Sequence, residues 1–238
     1  MDTNKVVGHH ISERFNQELE DIRNKVLAMG GLVERQIEQA VLAFTTGDVE
    51  LAEEVIKQDN QVDAMEMALD LECSQIIALR QPTAFDLRLL IAVIKIVREL
   101  ERAGDKAERI AQMAIKLTGS DNFRAYQHEL EHISDLVKEM LHSALDAFAR
   151  INIESITEIT NRDENVNREY ENIIRRLITR MMEDPRNITH ALDIIWAARA
   201  MERLGDYACN ICTHLIYMVN GEDLRHLSRQ ELEKKLSQ

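Results

Sequence analysis

The chain has 238 residues, with 42 carboxylates against 29 lysines and arginines and a formal net charge of −13. That balance repels a phosphate backbone and an anionic lipid surface, so it argues against a nucleic-acid binder or an electrostatically held membrane protein. Apolar residues make up 45%, enough for a sizeable core, but 8 glycines, 2 prolines and 4% aromatics are too few for an all-β sandwich or barrel.

The few breakers divide the chain into six long helical segments, in order about 10–46, 48–80, 84–118, 123–150, 154–183 and 188–220, followed by a short amphipathic tail of about 223–235. Gly47 ends the first. Pro82 stops the second, and Thr83 with Asp86 three residues on reads as the cap of the third. Gly119-Ser120-Asp121 is the small-polar cluster nearest the middle, Asn152 and Pro185 punctuate the second half, and Gly221 closes it. Apolar residues recur at three- and four-residue spacing, as in Ile91, Ile94, Val97 and Leu100. Helices of about 30 residues are roughly 45 Å long, and long helices on short loops pack as antiparallel bundles. The longest apolar run, Leu89 to Ile94, ends at Lys95, well short of the roughly 18 residues of a membrane span. Met1 to His10 has no apolar leader core, and Cys73, Cys209 and Cys212 make no disulfide framework, so a cytoplasmic location is expected.

The chain repeats itself. Glu101-Arg102-Ala103-Gly104-Asp105 returns as Glu202-Arg203-Leu204-Gly205-Asp206, Pro82 as Pro185, Asp59-Asn60-Gln61-Val62-Asp63 as Asp163-Glu164-Asn165-Val166-Asn167, and Ala43-Phe44 as Ala147-Phe148, at offsets of 101 to 104. Agreement in order and spacing means an internal duplication. The fold expected is all-α: two tandem, pseudo-symmetric three-helix bundles, residues 1–119 and 120–238.

Side chains four apart share a helix face. Asp59 and Asp63 are therefore neighbours on the second helix and Glu101 and Asp105 on the third; Asp163 with Asn167, and Glu202 with Asp206, repeat the arrangement. Asn210 extends the last stripe by a turn, where Arg109 stands in the first half. Gly104 and Gly205 cost the helix about 1 kcal/mol each and leave room beside the acids. If the second and third helices of each half are antiparallel neighbours, the oxygens converge and call for a hard cation: Mg²⁺, Mn²⁺ or iron. Solvated acidic faces are the alternative. Arg102 and Arg203 read as ion-pair partners or support for these groups.

Three further patterns carry less. His128-Glu129-Leu130-Glu131-His132 has zinc-protease spacing, but Glu131 puts another charge inside it and no third ligand is evident. Glu129 and His132 form one Glu-x-x-His where a di-iron bundle needs two. Cys209-Asn210-Ile211-Cys212 lies mid-helix with no second pair. Met29, Met65, Met67, Met113, Met140, Met181 and Met182 read mainly as core fill, with an adaptable partner surface as the alternative for some.

Arg80-Gln81-Pro82-Thr83-Ala84-Phe85-Asp86-Leu87-Arg88, followed by Leu100-Glu101-Arg102-Ala103-Gly104-Asp105, closely resembles the signature of the PhoU family. The resemblance runs from about His9 to Leu227 and includes His9-His10-Ile11-Ser12, Met29-Gly30-Gly31-Leu32-Val33 and Glu202 to Ile211. It implies two three-helix bundles with metal ions on the surface of each: Asp59, Asp63, Glu101 and Asp105 at one site, and Asp163, Asn167, Glu202, Asp206 and Asn210 at the other. Asn167 stands in place of an acid, which should weaken or alter the second site. Arg109 replaces the Asn and brings a positive charge close to the first. The resemblance also implies a non-enzymatic, negative regulator of the phosphate-starvation response. It would link the ATPase subunit of a phosphate ABC transporter to a sensor histidine kinase, and a homodimer is expected. A carboxylate bundle acting as metalloenzyme or metal store is the alternative.

Overall fold

The computed structural model describes residues 13–118 and 127–222. Within them lie α1 (Glu13–Thr46), α2 (Val49–Arg80), α3 (Ala84–Leu117), α4 (Gln127–Arg150), α5 (Ile156–Glu183) and α6 (Ile188–Asn220), with a single 3-10 turn at Pro185–Asn187 before α6 and no strand among the described residues. The expected division at residues 119 and 120, the opening of α4 from residue 123, the His9 to Ser12 motif and the tail of about 223–235 lie outside the described residues.

Local chemistry sets the boundaries. Gly47 takes a φ of +74°, and Asp48 then caps α2 by accepting a hydrogen bond from the Leu51 amide at 3.0 Å. Asn152 accepts from the Glu154 amide at 2.8 Å, so α5 opens two residues later than its pattern suggests. Gly221, at φ +76°, closes α6 by donating its N–H to the Tyr217 carbonyl. Thr83 is the α3 cap residue, but its side chain makes no capping hydrogen bond; the Asp86 amide bonds instead to the Thr83 carbonyl at 3.2 Å.

Each half is a three-helix bundle, α1–α3 and α4–α6, and the two are joined along two helix pairs. Among the described residues α3 and α6 make the most extensive helix contact and α1 meets α4, whereas among the principal contacts between α-helices α2 packs only on α1 and α3, and α5 only on α4 and α6. Both central pairs are antiparallel. Arg88 near the start of α3 donates to the Met218 carbonyl near the end of α6 at 3.1 Å, and Arg23 of α1 donates to the Ala149 carbonyl of α4 at 2.6 Å. Gly30 permits the second pair to close: a Cβ there would stand 2.7 Å from Leu145 Cδ1. One hydrophobic cluster runs through both halves, from Phe15 to Met218.

The methionines divide. Met29, Met113 and Met140 are wholly buried, but Met67 and Met182 are exposed, together with Ile188, Leu192 and Trp196 at four-residue spacing on α6. No helix among the described residues is long and apolar enough to cross a membrane.

Where α3 crosses α6, Glu99 is buried. It accepts from Asn210 Nδ2 at 3.0 Å and lies 3.6 Å from Arg102 Nη1 and 3.9 Å from His214 Nε2. Burial opposes its charge, but His214 and Asn210 outweigh that and hold its carboxyl below the usual range. Glu99→Ala strands a donor on buried His214 and another on half-buried Asn210, and the expected cost is about 2–4 kcal/mol. Thermal unfolding followed by circular dichroism should show a melting temperature lower by about 5–10 °C, with Glu99→Gln retaining part of the loss. An unmoved midpoint for Glu99→Ala would mean that this contact contributes nothing.

Candidate metal centre

The first-half site forms because α2 and α3 are adjacent and Gly104 lets them approach. A Cβ at Gly104 would lie 2.9 Å from Asp59 Oδ1, 3.3 Å from Gln36 Oε1 and 3.3 Å from Val62 Cγ1. The glycine thus makes room for an acid of the neighbouring helix rather than for those of its own. Asp59 is 8% exposed and accepts a hydrogen bond from Gln36 Nε2 at 3.1 Å. Asp59, Asp105 and Glu108 each offer one oxygen within 4.8 Å of the other two. Asp63 and Glu101 lie beside this group and act on it through charge. Burial first pushes the Asp59 carboxyl up to about 6, the Gln36 hydrogen bond opposing, with Asp63, Glu108 and Asp105 adding to the rise. Burial, then Asp105, Glu66, Asp63 and Asp59, push Glu101 up to about 7. The field extends along α2: burial and Asp70 raise Glu66, against Arg98.

Gln36 and Glu108 were not among the residues expected from the sequence. Glu108 was legible, three residues after Asp105 on the same helix. Gln36 comes from α1, and no local spacing points to it. It is completely buried, and its Oε1 has no hydrogen-bond partner. A buried acceptor left over beside three clustered carboxylates is the donor set a hard cation takes.

The second-half site is built alike and charged differently. A Cβ at Gly205 would lie 3.0 Å from Asp163 Oδ1, mirroring Gly104 and Asp59. Asn167 Nδ2 donates to Asp163 Oδ2 at 2.9 Å. Arg199 Nη1 donates to Glu202 Oε1, and Arg203 Nη1 to Asp206 Oδ2, both at 2.8 Å. Burial, then Asp206, raise the Glu202 carboxyl, with Arg199 and Arg203 opposing. Met140 approaches Gly205 where Gln36 approaches Gly104. Two of the three acids therefore already have guanidinium partners, and the oxygen donor from the first helix of the repeat is replaced by a thioether. Asn210 is turned away from this group: eight residues after Glu202 the helix has rotated by roughly 80°, and its amide bonds to Glu99 of the other half. Arg109 donates to Gln112 Oε1 at 3.0 Å.

The minor patterns make no comparable grouping. His128 and His132 are exposed on α4. Cys212 is buried mid-α6, and burial pushes its thiol up to about 12; Cys73 is pushed up equally by burial.

Comparison with known proteins agrees with this architecture. The PhoU domain family model matches residues 26–114 and again 130–215, one match in each half. The chain is 46% identical over 228 residues to the phosphate-specific transport system accessory protein PhoU homolog of Pseudomonas aeruginosa, covering 96% of this chain and 94% of that one. It is 45% identical over 231 residues to phosphate-specific transport system accessory protein PhoU of Escherichia coli (strain K12), covering 97% and 95%. The crystal structure of PhoU from Pseudomonas aeruginosa superposes with a TM-score of 0.84 at 47% identity, covering 87% of this chain and all of that one. That of the phosphate transport system regulatory protein PhoU from Streptococcus pneumoniae gives 0.82 at 29%, covering 88% and 98%.

Proposed function

The chain belongs to the PhoU family, and on that premise we propose that it is the regulatory accessory protein of a phosphate-specific transport system. It acts in the cytoplasm as a homodimer, restrains phosphate uptake and holds the phosphate-starvation response off when phosphate is plentiful. It does so by linking the transporter's ATPase subunit to a sensor histidine kinase. The observation that carries this reading is the near-full-length match in two repeats to proteins named as transport accessories and regulators, none of those cited being named as an enzyme. The long helices suit the task, since they present extended faces to partner domains.

The reading includes a cation at the first-half acid group. Asp59, Asp105 and Glu108 would hold it, with Gln36 Oε1 as a further oxygen and Asp63 and Glu101 supplying field; the second site, partly neutralised by Arg199 and Arg203, would bind more weakly. A bound Mg²⁺, Mn²⁺ or iron ion supplies the positive charge these carboxylates lack. Gln36, Asp59 and Asp105 come from α1, α2 and α3, so a filled site ties that bundle together.

Deletion of the gene tests the regulatory role. In phosphate-replete cells, starvation-inducible phosphatase activity should become high and return to low with the intact gene. Activity that stays low throughout would remove the reading.

A further inference from the structure

We propose that the cleft between α3 and α6 is a binding site for a nucleoside phosphate. This goes beyond the regulatory reading; the cleft borders the first-half acid group and shares Asp105 and Glu108 with it, but a separate set of cations lines it. The cleft has a volume of about 630 Å³, within the range of roughly 300–1,000 Å³ typical of small-molecule sites. In a chain of net charge −13, its walls gather five cations, Arg102, Lys106, Arg109, Arg199 and Arg203, beside Trp196.

The cations are of two kinds. Arg102, Arg199 and Arg203 are each fixed by an acid on the same helix: Arg102 lies 3.6 Å from Glu99, Arg199 bonds Glu202 at 2.8 Å, and Arg203 bonds Asp206 at 2.8 Å. Arg102 also lies over the Tyr207 ring at 4.9 Å, and Arg199 over the Tyr170 ring at 5.5 Å. A guanidinium has five N–H donors, so a carboxylate contact orients it and leaves other donors for a phosphate. Lys106 and Arg109 have no carboxylate partner among the described residues. They supply the uncompensated charge.

The duplication shows what leaves this cleft open. Position 99 in the first repeat corresponds to position 200 in the second. Glu99 is buried there and takes Arg102 and Asn210. Ala200 stands in its place beside the cleft, so Arg203 has no acid three residues before it and the space is unfilled. Trp196, the only tryptophan of the chain, is 56% exposed in this wall. An exposed indole face next to several guanidinium groups matches a ligand that combines an aromatic base with phosphates. Asp105 and Glu108 stand in the same wall, and the Mg²⁺ that a nucleotide carries offsets their repulsion.

The test is titration of the full chain with ATP in excess Mg²⁺, read by Trp196 fluorescence and by calorimetry, with inorganic phosphate as the second titrant. ATP should give saturable quenching with a micromolar dissociation constant, and inorganic phosphate should bind far more weakly. Lys106→Ala/Arg109→Ala should weaken ATP by at least about tenfold with an unchanged melting curve. Trp196→Ala, followed by calorimetry, should also weaken it. No saturable signal by either readout, phosphate binding as tight as ATP, or folded variants that bind like the parent would overturn the assignment.

Discussion

Stripped of metal by chelator, the protein should become more stable on acidification from about pH 8 to about pH 5. Asp59 and Glu101 have folded-state values of about 6 and about 7, above their ordinary ranges. The folded chain therefore holds protons there that the unfolded chain has released. The stability tied to those protons is complete below the unfolded values and is lost as pH rises through about 6 and about 7. For Asp59, which is buried, a rise of roughly two units is worth about 3 kcal/mol. Glu101 is partly exposed and adds less, because water screens it and the two charges repel the same neighbours. The melting temperature should climb by about 5–10 °C over that interval. Glu99 has the opposite sign: its carboxyl is lowered, so its contribution is lost only below the ordinary carboxylate range and does not offset the climb. Saturating Mn²⁺ or Mg²⁺ should remove the pattern. At about a hundredfold excess over the dissociation constant, a cation adds about 2.7 kcal/mol, and it holds the carboxylates ionised, which flattens the pH dependence. Melting curves that are flat with pH and indifferent to both chelator and cation would mean that the acid group is a solvated face.

Gly104→Ala should lower cation affinity about 10- to 100-fold, the range seen when a group that positions metal ligands is disturbed. The new Cβ would stand 2.9 Å from Asp59 Oδ1, so the carboxylate must swing off and give up the Gln36 hydrogen bond. The melting temperature of the metal-free variant should hold or fall, since the about 1 kcal/mol of helix propensity that alanine gains is offset by the buried Gln36 donor left without its acceptor and by the 3.3 Å approach to Val62 Cγ1. Gly205→Ala should cost less affinity, because its Cβ meets Asp163 Oδ1 at 3.0 Å and the second group is already partly neutralised. Calorimetric titration of both variants with Mn²⁺ checks this. Unchanged affinity in Gly104→Ala would show that the approach of Asp59 to the α3 backbone does not matter.

Helix positions were highly legible in the sequence because the scarce breakers fall at the ends: Gly47, Pro82 and Gly221 each mark a boundary found in the structure. The differences are local. Asn152 draws the Glu154 amide and delays α5, a competition that apolar periodicity does not register. Of the site, the pairs on one helix could be read from four-residue spacing; that Gly104 makes room for Asp59 of α2 rather than for the acids of its own helix could not. What lies across helices could not be read. Gln36 enters from α1, and its place depends on how α1 docks. The bond from Arg199 to Glu202, by contrast, lies within α6 at a three-residue spacing that the sequence shows. Asn210 extended the stripe on paper, yet the helix turns it to Glu99 in the other half. The cleft at Trp196 draws residues from both repeats, and no scan within one repeat assembles it.

Equilibrium dialysis against Mn²⁺, of the parent chain and of Asp59→Asn/Asp105→Asn, tests the central claim most directly. A tight site is expected in the parent and should disappear in the variant, leaving only weaker binding at the second group. A parent that binds no Mn²⁺, or a folded variant that binds as tightly as the parent, would contradict it.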